Sequence, residues 1–372
     1  MKDAQCKCDS QARFFLLDKI LMRWSSIHVN ITASMFILLL TILGTSLRRV
    51  LDTNLLALAF VYSLQLMGMT SWTVMSLVQL ENELTSVERV QELLTIEDEE
   101  ELRLRKNGKL VEKTIVPNSG SIEIINLSLR YRENLPIILH NLNVKIKDGE
   151  KIGIVGRTGS GKSSIMRAIL YLFETLQDGD IILGGVNCKT IPLKLLRGEI
   201  ISIIPQEPVV FAGTVRENLD PNYSGIEDDV LWRALSDVNL KSKFEARDGL
   251  DFYVGEDGTE LSHGERQLLV ICRALVKPCR ILLVDEATSS VDGKTDAIIQ
   301  KIIRERFKDK TVLTIAHRLD TIMDSDRIIV MEDGVLKEFD KPDTLLKNEQ
   351  SLFSNMVKKN DKSKTTNMLN EV

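Results

Sequence analysis

An α/β fold built around a phosphate-binding P-loop and preceded by an α-helical transmembrane hairpin is predicted by three observations. The first is Gly156-Arg157-Thr158-Gly159-Ser160-Gly161-Lys162-Ser163, which fits the pattern G-x-x-x-x-G-K-[ST]. It lies between a short apolar run, Lys151 to Val155, and a helix-forming run, Ser164 to Phe173. The second is Ile281-Leu282-Leu283-Val284-Asp285-Glu286, a continuous apolar stretch that ends in two carboxylates and predicts a parallel strand buried on both faces. The third is a pair of segments without any charge, Val29 to Leu47 and Thr53 to Leu80.

Taken in order, residues 1–28 mix charges with Phe14, Phe15, Leu17, Ile20, Leu21 and Trp24 at helical spacing. Asp18, Lys19 and Arg23 interrupt the apolar set, so an amphipathic helix is expected and not a signal peptide. A hydrocarbon core about 30 Å thick needs roughly 20 mainly apolar residues in a helix, and both uncharged runs are long enough. The short link Arg48 to Asp52 makes them a hairpin with both outer ends on one side. Lys2, Lys7, Arg13, Lys19 and Arg23 favour the cytosol for that side, although Arg48 and Arg49 weaken the bias. A multi-pass membrane protein is expected, and no residue selects a plasma membrane over a vacuolar or other organellar one. Gln65, Trp72, Thr73, Ser76 and Gln79 give the second span a partly polar stripe, suited either to a cavity or to bonds with further helices.

From Glu81 the chain is charged. A helix leaving the membrane and then a solvated connector are expected, with the acidic run Glu97 to Glu101 serving solubility alone. The organisation is thus a partial membrane domain over 1–94 with spans at about 29–47 and 53–80, a linker over 95–120, a nucleotide-binding domain over 121–360 and a polar tail over 361–372. Ile122 to Ile125, Leu127 to Tyr131 and Leu142 to Ile146 read as strands of a β-subdomain, and Asp148-Gly149-Glu150 as the turn into the P-loop strand. A net charge of −5 argues against a nucleic-acid binder. The five cysteines, Cys6, Cys8, Cys188, Cys272 and Cys279, lack metal-ligand spacing and read as reduced thiols.

The chemistry follows from residue type and position. Glycines in the P-loop let successive N–H groups converge on phosphate oxygens while the following helix adds the positive end of its dipole. Lys162 reaches the β- and γ-phosphates of ATP, and Ser163 ligates Mg²⁺. Ligands of open α/β sheets bind at the carboxyl ends of the strands, where Asp285 is placed to hold the metal and Glu286 to polarise an attacking water. Leu261-Ser262-His263-Gly264-Glu265-Arg266-Gln267 opens an apolar helix, and Ser262 with Gly264 at its start forms an anion site for the phosphate of a second nucleotide domain.

In this order the motifs resemble those of the ATP-binding-cassette transporters, over nearly the whole chain. The resemblance implies a mixed sheet with a β-subdomain and a helical subdomain. It makes Gly156 to Ser163, with Ser164 beside them, the Walker A loop, and Gln206 the Q-loop residue that senses the γ-phosphate and contacts the metal. Leu261 to Gln267 becomes the signature, Asp285-Glu286 Walker B with the catalytic glutamate, Ser289 to Asp292 the D-loop, and His317 the switch histidine. Tyr131 matches the aromatic that stacks on adenine, an interaction of a kind worth roughly 1–3 kcal/mol. The stretches Gly153 to Gly159, Phe211 to Pro221 and Thr314 to Ile322 resemble the second nucleotide-binding domain of the multidrug-resistance-associated proteins, the C subfamily. Arg23-Trp24, Tyr62 to Gln65 and Ser86 to Val90 resemble the last two spans of that subfamily and their exit. The implied activity is ATP hydrolysis coupled to export of amphipathic organic anions or conjugates. The implied partners are the membrane, a second nucleotide domain and further transmembrane helices, either in one longer polypeptide or in a partner subunit. Other readings are an ATP-dependent regulator or gate of a channel, a truncated fragment without transport of its own, and a soluble cassette ATPase, against which the two spans argue.

The signature departs from the family's usual Leu-Ser-Gly-Gly-Gln: His263 stands for its first glycine and Glu265 for its glutamine. A carboxylate beside a phosphate-binding surface is expected to weaken it by repulsion. That implies an asymmetric pair, with the hydrolytic residues here and a degenerate partner site, unless the substitution is harmless.

Overall fold

The computed structural model describes residues 2–47, 52–96, 98–99, 116–132, 134–173, 177–287, 291–316 and 319–359. They fall into two compact units that divide between Asp98 and Glu99.

The first unit holds α1, Lys2–Ser46, and α2, Thr53–Leu94, of 45 and 42 residues. At 1.5 Å per residue each is over about 60 Å long, roughly twice the hydrocarbon thickness. Within them Phe15–Ser46 and Asn54–Leu94 are long and apolar enough to cross a membrane. The expected amphipathic segment and first span are therefore one continuous helix, and Phe15, Trp24, Leu38, Leu58 and Trp72 all lie exposed on the surface of the unit. Beside the link the helices approach closely: a Cβ on Gly44 would fall 2.3 Å from Leu56 Cδ2. Several polar residues of the spans bond within their own helices. The hydroxyls of Thr32, Thr41, Ser63, Thr70 and Thr73 donate to carbonyls four residues back, and Gln79 Nε2 donates to Glu83 Oε1 at 3.3 Å. Such internal bonds lower the cost of placing these groups against hydrocarbon.

The second unit is built on two large sheets and a two-stranded antiparallel ribbon, β7 (Gly213–Thr214) with β8 (Tyr253–Val254). β1 (Ile122–Leu129), β2 (Leu139–Ile146), β4 (Gln177–Leu183) and β5 (Val186–Asn187) form an antiparallel sheet in the order β2-β1-β4-β5. β3 (Lys151–Gly156), β6 (Ile201–Ile204), β9 (Ile281–Asp285), β10 (Thr311–Ile315), β11 (Arg327–Glu332) and β12 (Val335–Asp340) form the second, in the order β12-β11-β3-β10-β9-β6. All neighbours in it are parallel except the edge pair β11–β12. The two strands expected over Ile122 to Tyr131 are a single strand, interrupted by a bulge where Asn126 takes φ 51°. The extra residue there reverses the inward-outward alternation, which reads in sequence as a break.

The run Ile281 to Val284 is buried on both faces, as its unbroken apolar character requires. Ile281 and Leu283 face one core with β1, β2 and helix α3 (Lys162–Ile169). Leu282 and Val284 face a second core with helices α5 (Asp228–Asp237) and α7 (His263–Val276). A third, smaller cluster joins Val155, Ile328 and Val330 to Phe353 of the last helix, residues 352–359. α3 is shorter than the expected Ser164 to Phe173, since Tyr171 turns to φ 59° and ends the helical path. The tail, 361–372, lies outside the described residues.

Among the ion pairs of this unit, two join distant parts of the chain around β3 and α3. Glu99, inside the acidic run expected to do no more than solvate, accepts both Arg197 Nη1 and Nη2 at 2.8 and 2.7 Å. Arg197 also donates to the carbonyls of Leu170 and Tyr171, so this guanidinium caps the end of the P-loop helix and holds the connector to it. The second pair joins the turn before β3 to the start of β11: Arg327 Nε and Nη2 donate to Glu150 Oε1 and Oε2 at 2.5 and 2.8 Å. The Phe339 ring lies 3.9 Å from the Arg327 guanidinium. Burial pushes the Glu150 carboxyl up, but the bonds from Arg327 and from the Lys147 N–H outweigh it, and the group sits below its ordinary value. A depressed carboxylate contributes stability above its unfolded pKa of about 4.3, and that contribution fades as pH falls through the lower folded value. Glu150→Gln is expected to destabilise the protein by about 2 kcal/mol at pH 7, as for a partly shielded pair that loses one charge. The gap from the parent should close below about pH 4, and thermal melts across pH 3–7 check it.

Candidate functional site

The strand order of the parallel sheet brings distant motifs to one edge. β3 ends in the P-loop, β9 ends in Asp285, β6 ends two residues before Gln206, and β10 lies between β3 and β9. The loop itself tolerates no side chain at its first glycine, where a Cβ would lie 2.4 Å from both Met331 O and Ser160 Oγ. Gly161 adopts φ 98° as the N-cap of α3, a left-handed conformation that glycine takes without strain. Between them Arg157, Thr158 and Gly159 carry the backbone around the turn, with Ser160 N donating to Arg157 O at 3.1 Å.

Lys162 is buried, and its ammonium donates to Gly156 O at 2.9 Å and Arg157 O at 3.1 Å. Burial lowers its pKa, while the carboxylates of Glu286 and Asp285 act the other way. Ser163 Oγ lies 3.5 Å from Asp285 Oδ1. Burial raises the Asp285 carboxyl and Glu286 adds to the rise, against the bond from Ser163 and the charges of Arg167 and Lys162. Glu286 takes φ 50°, sparsely populated for a non-glycine residue, and its N–H donates to Ile315 O at 3.1 Å. Strain of this kind, of order 1 kcal/mol, concentrates at functional sites.

Ser160 Oγ is buried without a hydrogen-bond partner among the described residues. A buried hydroxyl in a loop of converging N–H groups fits an anion that would accept from it. The hydroxyl of Ser163 and the carboxylate of Asp285 are hard oxygen donors of the kind Mg²⁺ takes. The residues present therefore fit a metal-bound nucleotide.

Tyr131 lies beyond β1, with its hydroxyl 2.8 Å from Ser164 Oγ and accepting Arg167 Nη1 at 3.0 Å. Its ring meets Phe173 edge to face at 4.9 Å. Ser164 and Arg167 both belong to α3, so the tyrosine is held against the helix that begins at the P-loop. Arg167 carried no sequence signal, since an arginine one turn into a helix has no motif; only the fold shows that it serves Tyr131.

Ser262 and Gly264 are not part of this cluster. They open α7, which packs on β6, on α5, on α4 (Val215–Leu219) and on α8 (Gly293–Arg306). Ser262 is the N-cap, and a Cβ on Gly264 would meet Val291 at 3.2 Å. Asp292 of the expected D-loop caps α8 through bonds from the Lys294 and Thr295 N–H groups. Gln206 is exposed, and the carbonyl before it, Pro205 O, accepts Gln267 Nε2 at 3.2 Å, which ties the Q-loop segment to α7. His317, Ser289 and Ser290 lie outside the described residues.

Glu265 is engaged where sequence reasoning left it free. Its carboxylate accepts the Ser262 N–H at 2.8 Å while its own N–H donates to Ser262 Oγ at 3.3 Å, a reciprocal capping box. The same carboxylate pairs with Lys243 Nζ at 2.6 Å. The repulsion expected of a bare charge is therefore reduced.

A P-loop on β3, paired oxygen donors on β3–α3 and β9, and a capped helix opening before the acidic strand define a nucleotide-binding domain of the ATP-binding-cassette type. A family profile described as ABC transporter matches residues 139–289. Human ATP-binding cassette sub-family C member 4 is 42% identical over 356 residues, covering 95% of this chain and 26% of that protein. The metal resistance protein YCF1 of Saccharomyces cerevisiae (strain ATCC 204508 / S288c) is 40% identical over 353 residues, covering 94% of this chain and 23% of its own length. ATP-binding cassette sub-family C member 3 of Rattus norvegicus is 41% identical over 325 residues, with 87% and 21% covered. The chain belongs to the ATP-binding-cassette transporters of the C subfamily and carries their ATPase domain. It spans about a quarter of the length of the curated relatives it matches.

Proposed function

We propose that this chain hydrolyses ATP to drive export of amphipathic organic anions or conjugates, as the last two spans and second nucleotide domain of a C-subfamily transporter. The observation that carries the reading is the meeting, at one sheet edge, of a braced Lys162 with Ser163, Asp285 and a strained Glu286. Tyr131 stacks on adenine, and the loop from Gly156 to Ser163, with Ser164 alongside, binds the phosphates. Ser163, Asp285 and Gln206 would hold Mg²⁺, which would supply charge neutralisation at the phosphates when bound. Glu286 orients the attacking water, and His317 steadies the γ-phosphate. Gln206 reports the state of the γ-phosphate toward the membrane helices, and Ser262 and Gly264 meet the nucleotide of a second domain. Catalysis here is positioning and electrostatics more than covalent chemistry.

The same reading divides the chain into a partial membrane domain at 1–94, a linker at 95–120 and a nucleotide domain at 121–360, the last on the cytosolic side where ATP is held. The yeast relatives include one named a metal resistance protein and one named a bile pigment transporter, and the second name is that of a transporter of an organic compound. Inside-out membrane vesicles containing the assembled transporter should take up a radiolabelled glutathione conjugate in an ATP-dependent manner. Uptake equal with and without ATP, or an ATP-dependent ionic current with no uptake, would replace this reading with that of a channel regulator.

A further inference from the structure

We propose that Lys243 is a positioning residue for the nucleotide, because it neutralises Glu265 and so keeps the start of the signature helix receptive to a phosphate. The proposal rests on the reading of Ser262 and Gly264 as the surface that meets the nucleotide of a second domain.

The local chemistry poses a conflict. Position N3 of a helix favours glutamate, since the side chain can reach back to the N-cap N–H and its charge suits the dipole. Glu265 does both: it accepts the Ser262 N–H at 2.8 Å and closes the box with Ser262 Oγ. The same negative charge lies beside the N-terminus that has to attract an anion. A glutamine at N3 would cap without a charge. Here the capping residue is ionised, and burial, which pushes its pKa up, is outweighed by the bonds from Lys243 and from the Ser262 N–H, so the group sits below its ordinary value.

Lys243 resolves the conflict from a separate element. It lies on the short helix α6, Lys241–Glu245. Phe244 beside it is fully buried, and Leu240 before it nearly so; the Phe244 ring packs against Phe252 at 5.8 Å. Those anchors fix the helix, and Lys243 Nζ meets Glu265 Oε2 at 2.6 Å. The two side chains are 24% and 28% exposed, which limits screening by salt. Lys241, two residues earlier on the same helix, faces its own partner, Glu245, at 3.4 Å and does not share the load. The arrangement leaves a capped helix whose first turn carries no net charge from its cap, so the helix dipole still favours a phosphate. Nothing in a string of residues links Lys243 to Glu265, because twenty-one positions and the β8 segment Tyr253–Val254 stand between them.

The test is a set of variants in the assembled transporter, read by the ATP concentration that gives half-maximal ATPase activity and, in parallel, by the melting temperature. Ser262→Phe should abolish stimulated turnover and establishes that the signature meets nucleotide. Lys243→Met should raise the half-maximal ATP concentration about five- to tenfold, which is about 1–1.4 kcal/mol. In the Lys243→Met/Glu265→Gln double variant the value should return to within twofold of the parent, since removing the carboxylate removes the need for the lysine. A purely structural lysine would lower the melting temperature, and the glutamine variant would not restore ATP dependence. Additive effects of the two changes, or a Lys243→Met variant with parental ATP dependence while Ser262→Phe is inactive, overturn the role of Lys243. A Ser262→Phe variant with parental turnover overturns the composite-site reading itself, and the proposal with it.

Discussion

Replacing Glu286 by glutamine is expected to lower ATP turnover by at least about 100-fold while leaving ATP bound. General-base and water-orienting groups typically contribute 10²–10⁴-fold. Backbone geometry sets the direction of this residue: its φ is 50° at the end of β9, and its N–H is anchored on Ile315 O of the neighbouring strand. Glutamine preserves size and can hold the same conformation, so the strain is unchanged and the fold should melt within a degree or two of the parent. It removes one negative charge close to Lys162, where triphosphate oxygens would add several more. Binding should therefore be as tight as in the parent, or tighter. Equilibrium binding of a fluorescent ATP analogue, alongside steady-state phosphate release by the assembled transporter, separates the two effects. Turnover within threefold of the parent would remove Glu286 from the role.

Much of the site was legible in the sequence because its parts are local. The P-loop, the acidic end of β9 and the opening of α7 are each short strings whose chemistry depends on spacing within one strand-turn-helix unit. The apolar run at Ile281 was equally plain, since a strand buried on both faces needs no polar alternation. What stayed hidden is tertiary pairing between ordinary residues. Glu99 looked like one of several acids in a solvated stretch, and only the fold brings Arg197 to it with both nitrogens. Glu265 looked like an uncompensated charge for the same reason, because Lys243 comes from an unrelated helix. Asn126 misled in another way: a bulge keeps the strand continuous while breaking the pattern by which strands are read.

Lys162→Met is expected to have the second large effect, and of a different kind: loss of nucleotide binding and not of turnover alone. Charge-assisted hydrogen bonds are worth about 1.5–3 kcal/mol each. An ammonium serving two phosphate oxygens would thus account for about 3–6 kcal/mol, or roughly 10²–10⁴-fold in affinity. Stability should change far less, for two opposing reasons. The variant leaves Gly156 O and Arg157 O without the donor they now share. It also removes a buried ammonium whose desolvation already depresses its pKa, and a thioether of similar length fills the same space. The net shift in melting temperature should stay within a few degrees. Arginine is not a conservative choice, since a planar five-donor fork does not reproduce a compact ammonium buried beside two loop carbonyls. Titration of the fluorescent ATP analogue into Glu286→Gln and Lys162→Met side by side gives the sharpest contrast. Saturable binding without turnover in the first and no saturation in the second is the expected pair. Parental affinity in Lys162→Met would mean that the loop N–H groups hold the triphosphate without the lysine.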